Sequence, residues 1–230
     1  MPLRASLSFF STIKTGGDFE DLRNNLWIMP LTGFIIGLMI ALLSYPFFYF
    51  GIGFLIVVIY VAVEGINHID GLADFFDSFF APENKKIKAL KDLQIGSGGL
   101  IAVTIYIIAL SNFFQIIDNP IPAIILSQTL AKQGMLQLML SSKPLWDGLA
   151  AEFMKGIKRR DYISYAFTIS IALLLSLKYP EALLSLVVYF VLVYVFRYYV
   201  IKKYGGINGD MLGALNCLIF AGVLGVWCLQ

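Results

Sequence analysis

The chain has 230 residues, of which 59% are hydrophobic and 14% charged, and its formal net charge is +2. A soluble domain carries about 25% charged residues, so this composition excludes one and indicates an all-α, polytopic integral membrane protein. The small net charge says little about partners: the lipid bilayer is one, and no nucleic acid is expected.

The N-terminus begins Met-Pro-Leu-Arg with no long apolar run behind it, so no cleavable signal peptide is expected. Leu7-Ser8-Phe9-Phe10 is apolar enough to enter the membrane interface. A first span is expected at about 26–45, with Gly33 and Gly37 at a close-packing spacing. Pro46 is read as a tight turn into a second span at about 47–66, which carries Glu64 near its end. An acidic segment at 67–77 follows, and then a polar loop at 81–98 with Lys85, Lys86, Lys88 and Lys91. Spans three and four are expected at about 99–117 and 123–140, reversed by Asp118-Asn119-Pro120-Ile121-Pro122. The connection 141–161 holds Trp146, Phe153 and a basic cluster, and suggests a helix lying in the interface. Spans five, six and seven are expected at about 162–177, 182–200 and 211–229, the fifth somewhat short for a bilayer. Cys217 and Cys228 both fall in the last run, so no disulfide framework is indicated. Residues 1–230 are read as one transmembrane domain with about seven spans.

Orientation follows from the basic residues. With a cytoplasmic N-terminus, Lys178 is the only one of 17 Lys and Arg residues left outside, and Lys132 lies within a span. The polar segments then share the cytoplasmic face of the cell membrane, as the parts of one site.

The most informative segment runs from Asn67 to Asp77. Asp70, Asp74 and Asp77 fall at i, i+4 and i+7, one face of a helix. Like charges at those spacings repel, so a cation between them is the natural occupant. Magnesium often bridges carboxylates to a substrate phosphate. Further on, Lys91-Asp92 precedes Gly96-Ser97-Gly98-Gly99 at the start of a span, a plausible phosphate cradle at a helix N-terminus. Asp92 reads as a fourth ligand or a general base. Gly205-Gly206-Ile207-Asn208-Gly209-Asp210 repeats the theme, with Asp210 read as a site carboxylate or a helix N-cap. His68, the only histidine, is placed to orient a carboxylate or phosphate. Such equipment suits phosphoryl or phosphodiester transfer, which relies on positioning and charge neutralisation.

These motifs have a family resemblance. His68 through Asp77 resembles the H-x-D-G-L-A-D-x-x-D signature of the cobalamin synthases, the adenosylcobinamide-GDP ribazoletransferases. Leu7–Phe10 and Met29–Gly33 look like the family's N-terminal pattern. Lys91-Asp92 through Gly99 is similar to its R-D-x-x-x-G-x-x-G segment, and Gly205 through Ala214 to G-G-x-T-G-D-x-L-G-A. Departures are Lys91 for Arg, Asn208 for Thr, no Arg in the segment 143–147, and Asn216-Cys217 where a Glu is usual. The resemblance implies that a ribose hydroxyl of α-ribazole or its 5′-phosphate attacks the phosphate carrying adenosylcobinamide, with GMP leaving and magnesium as cofactor. It implies that Asp70, Asp74 and Asp77 hold the metal and that Asp92 and His68 are catalytic. Lys91, Gly96, Ser97, Gly98, Gly206, Asn208, Gly209 and Asp210 would then bind substrate. Homo-oligomerisation is left open. Two other readings remain: a CDP-alcohol phosphatidyltransferase, whose D-x-x-D-G-x-x-A-R pattern is absent, and a cation transporter, which would place its acidic groups near mid-membrane on several spans.

Overall fold

A computed structural model describes residues 1–229, and they fold as helices. The N-terminal region forms α1 (Pro2–Phe10) and the short α2 (Phe19–Arg23). Then come α3 (Met29–Tyr49), α4 (Gly53–Glu64), α5 (Asn67–Phe80) and the single turn α6 (Lys86–Ala89). The chain continues through α7 (Ser97–Ile116), α8 (Pro120–Leu140) and α9 (Leu149–Lys155). It ends with α10 (Ile163–Ser176), α11 (Glu181–Tyr204) and α12 (Gly209–Val226).

All seven expected apolar runs are helical, but a count of seven crossings does not follow. Four helical segments are long and apolar enough to cross a membrane: Leu26–Tyr49, Ser97–Ile116, Glu181–Tyr204 and Gly209–Val226. Helices α4 and α5 qualify as a fifth only when taken together, and they are bent by 100° at their break. The helix α10 has 14 residues, fewer than the roughly 20 a bilayer needs. The helix α8 has the length, with 21 residues, but carries a polar face. Pro46 does not turn the chain: α3 continues through it to Tyr49, because a proline in the last turn of an apolar helix frees few backbone groups.

The helices α8 and α12 form the centre. Nearly every side chain of α8 from Ala123 to Met139 is buried, as is most of α12. Gly33 and Gly37 do let α3 approach α8 closely: a Cβ on Gly37 would sit 2.8 Å from the Ile125 Cα. The helices α7, α10 and α11 lie outside, and their outer faces leave Leu100, Ile105, Leu174, Val187, Val191 and Val195 exposed. So wide an apolar surface suits lipid rather than water. The connection 141–161 carries the helix α9, which packs on protein. Phe153 of α9 is buried against Phe9, Phe10 and Phe19, because α1 and α2 offer it an aromatic surface.

Candidate active site

The site is assembled around α5. This helix follows the 100° bend and packs on α12 and α7. It is pressed onto α12 at Gly71, where a Cβ would come 2.8 Å from the Asp210 carbonyl oxygen. Across the contact, a Cβ on Gly213 would meet the His68 backbone at 3.2 Å. The glycines of both motifs therefore serve the close approach that brings Asp70 and Asp210 together. Each of these aspartates sits in the first turn of its helix, where the helix dipole favours a negative charge. Asp74 lies one turn further along α5. Burial, then the carboxylates of Asp210, Asp70 and Asp77, push it up to about 6.

Asp210 is not the N-cap of α12. Asn208 is: its Oδ1 accepts from the Met211 amide at 3.1 Å, while its Nδ2 donates to Asp210 Oδ2 at 2.6 Å. The residue that replaces the family's usual Thr thus caps the helix and orients the carboxylate. The segment ahead of it is fixed by a short bridge, with Leu145 N donating to Ile207 O at 2.8 Å and Ile207 N to Lys143 O at 2.9 Å. Gly206 lies against Leu145, with 2.9 Å available to a Cβ, and Gly209 meets nothing.

Asp77, read from sequence as a metal ligand, is engaged elsewhere. Its Oδ2 accepts from the Gly96 amide at 2.6 Å and its Oδ1 from the Gly99 amide at 2.8 Å. A carboxylate across two amides at a helix start satisfies donors that α7 cannot satisfy itself. The expected phosphate cradle is therefore filled by a side chain of the same chain. Ser97 and Gly98 line a cleft of 280 Å³ together with Asp77 and Asp92. Asp92 is exposed, and its Oδ1 accepts from the Gln94 amide at 3.1 Å, closing a local turn. Lys91 stacks its ammonium 4.7 Å from the Trp146 ring and, with Lys88 and Asp92, borders an open cleft of 780 Å³.

His68 is buried, its Nδ1 3.1 Å from Glu64 Oε1. Glu64 is the last residue of α4, at the bend, and its carboxylate anchors a cluster that sequence reading did not assemble. Lys132 Nζ of α8 lies 2.6 Å from Glu64 Oε1 and 2.8 Å from Asn216 Oδ1. Asn216 Nδ2 donates to Glu64 Oε1 at 2.9 Å, and Gln128 donates to Glu64 Oε2. Glu64, Lys132, Gln128 and Asn216 are all buried. A signal was available: an ionisable residue within an apolar run is functional by default, and Lys132 and Glu64 are two such residues of opposite charge.

A pocket of 260 Å³ opens beside these groups, lined on its polar side by Asn67, His68, Asp70 and Asp210. Magnesium commonly takes one or two carboxylates and completes its shell with water and substrate phosphate. Asp70 and Asp210 line this pocket and Asp74 feels the charge of both, which gives the carboxylates such an ion would need, although among the described residues no three acidic, histidine or cysteine side chains form a ready-made ion site.

Together the fold and these groups define a polytopic α-helical membrane protein with a carboxylate-bearing pocket where α5 and α12 begin and α4 and α8 end. The chain belongs to the cobalamin-5-phosphate synthase family, whose sequence model matches residues 2–228. An Archaeoglobus fulgidus protein named adenosylcobinamide-GDP ribazoletransferase is 41% identical over 228 residues, covering 96% of this chain and 94% of the relative. A Pyrococcus abyssi protein of the same name is 34% identical, covering 96% of this chain and 95% of the relative. No solved structure matches the chain.

Proposed function

We propose that this chain is a membrane transferase that joins adenosylcobinamide-GDP to α-ribazole or α-ribazole 5′-phosphate and releases GMP. A ribose hydroxyl oxygen of the acceptor bonds to the phosphorus that carries adenosylcobinamide. The bond from that phosphorus to GMP breaks, GMP leaves with the electron pair, and the hydroxyl proton passes to a base. The observation that carries this reading is the crowding of Asp70, Asp74 and Asp210 at the α5–α12 contact, beside a pocket. Family membership supports it over a phosphatidyltransferase or a transporter. Glu64, a buried carboxylate, is already matched by Lys132, which does not suit an ion pathway.

Asp70, Asp74 and Asp210 would hold magnesium, which when bound neutralises charge on the pyrophosphate and on departing GMP. Asp77 would hold the start of α7 against α5 rather than the ion. Lys91 supplies a cation to the cleft at that end, and Asp92 is the candidate base. The basic residues support placing the N-terminus and the site on the cytoplasmic side of the cell membrane. The deciding assay supplies purified full-length protein with adenosylcobinamide-GDP, α-ribazole phosphate and magnesium. GMP release that stops on EDTA addition and returns with magnesium is expected, and metal-independent release would overturn the assignment of the carboxylates.

A further inference from the structure

We infer that the 260 Å³ pocket between α1, α5, α8, α9 and α12 takes the base of the acceptor nucleoside, an apolar fused azole, with its ribose at the carboxylate mouth. The inference rests on the transferase reading above and assigns one of its two substrates to a place.

The first argument is size. Pockets for drug-sized ligands begin at roughly 300 Å³, so this one admits a bicyclic ring and no corrin macrocycle. The corrinoid substrate must stay outside this pocket; a separate open cleft of 780 Å³ by Lys88 and Lys91 offers room and positive charge.

The second argument is the chemistry of the walls. Phe9 and Phe10 come from α1, Phe153 from α9, and Met135 and Met139 from one face of α8. The Phe10 ring lies nearly parallel to the His68 imidazole, at 12° and 6.2 Å between centroids. Such walls suit a flat, weakly polar ring, since thioethers are polarisable and adapt to ring edges. Guanine, the other base in the reaction, would bury several edge donors and acceptors against them, and buried polar groups without partners are costly. Of the polar groups on the lining, Glu64 cannot answer them because Lys132, Asn216 and Gln128 already occupy it, and Asn67, His68, Asp70 and Asp210 are left for the ribose and the phosphate.

The third argument is direction. Asp70 and Asp210 border the same pocket, so a base seated among the phenylalanines leaves its sugar beside the carboxylates. There the hydroxyl meets the phosphate that a metal would hold.

The experiment uses full-length protein in detergent and measures equilibrium binding of α-ribazole and of adenosylcobinamide-GDP separately. Ala150 is buried on the pocket wall, and Ala150→Leu fills it. This variant is expected to weaken α-ribazole binding at least about tenfold, the scale at which pockets discriminate small apolar groups. Its affinity for adenosylcobinamide-GDP should stay within about twofold of the parent's, which also reports a folded protein. Weakened adenosylcobinamide-GDP binding with α-ribazole unaffected would place guanine in the pocket and overturn the inference, as would unchanged affinity for both. Met139→Ala gives an independent reading by enlarging the pocket. It should shift preference at least about fivefold toward a tricyclic naphthimidazole riboside, and an unshifted preference overturns the inference. Wild-type protein that binds α-ribazole but releases no GMP would refute the reaction and leave the pocket assignment standing.

Discussion

Lys132→Met removes one partner of the buried pair at the bend between α4 and α5. The two charges lie 2.6 Å apart with both side chains fully buried, and at an effective dielectric near 20 their attraction is about 6 kcal/mol. Desolvating both ions cancels much of that gain, so the pair adds little net stability. Deleting one partner is different, because Glu64 is then a buried charge with only neutral donors. Breaking such a pair costs about 3–5 kcal/mol. For a chain of this size that lowers the melting temperature by roughly 6–20 °C. The double variant Lys132→Met/Glu64→Gln removes both charges and keeps an amide for Asn216 and Gln128 to bond, so it should recover most of the loss. The assay is thermal unfolding of purified protein in one detergent, with GMP release measured in parallel. Activity should fall in the single variant, because Glu64 ends α4 where the chain turns to present Asp70 and Asp74. A single variant within about 1 kcal/mol of the parent, or a double variant no better than the single, would refute the reasoning.

Asp74→Asn should lower turnover at least about a hundredfold without loss of thermal stability, since it removes one charge from a repelling group; near-normal turnover would exclude Asp74 from the metal site. Asp77→Asn keeps one acceptor and loses one of the two charge-assisted bonds to the start of α7, so it should cost about 1.5–3 kcal/mol, and the magnesium concentration for half-maximal rate should not change. A rise of tenfold or more in that concentration would restore Asp77 as a ligand. Asp92→Asn keeps an oxygen that can accept from Gln94, so the turn survives, and a loss of turnover of about a hundredfold or more then reports the base alone. Ordinary turnover would leave Asp92 as a turn residue.

Much of this site is legible in the sequence because its motifs are local. The i, i+4, i+7 spacing of Asp70, Asp74 and Asp77 fixes their shared face once α5 is helical, and the glycines of both motifs mark close approach. What is not local is not legible. Asp77 shares its face with Asp70, yet its end of the helix meets Gly96 and Gly99, a pairing 19 and 22 residues apart in sequence. Glu64 and Lys132 are separated by 68 residues, and only the packing of the bundle brings the end of α4 to α8. The number of spans is less legible for a related reason: α4 and α10, of 12 and 14 residues, count as spans by their apolar residues but are short for a lone crossing.

The energetics explain why a repelling carboxylate group can be held ready at all. Each like-charge contact on a helix costs only about 0.2–0.5 kcal/mol, and Asp70, Asp74 and Asp210 must bear a few of them. Against this, α5 is held at three places by interactions of a different scale. Glu64, just before it, is locked to Lys132, Asn216 and Gln128; Gly71 is seated on α12; and Asp77 clasps two amides of α7. Charge-assisted hydrogen bonds are worth about 1.5–3 kcal/mol each, so Asp77 alone outweighs the repulsion among its neighbours. Asp77 thus works as an anchor for α5, and Asp70, Asp74 and Asp210 keep the mutual repulsion that the proposed cation would relieve.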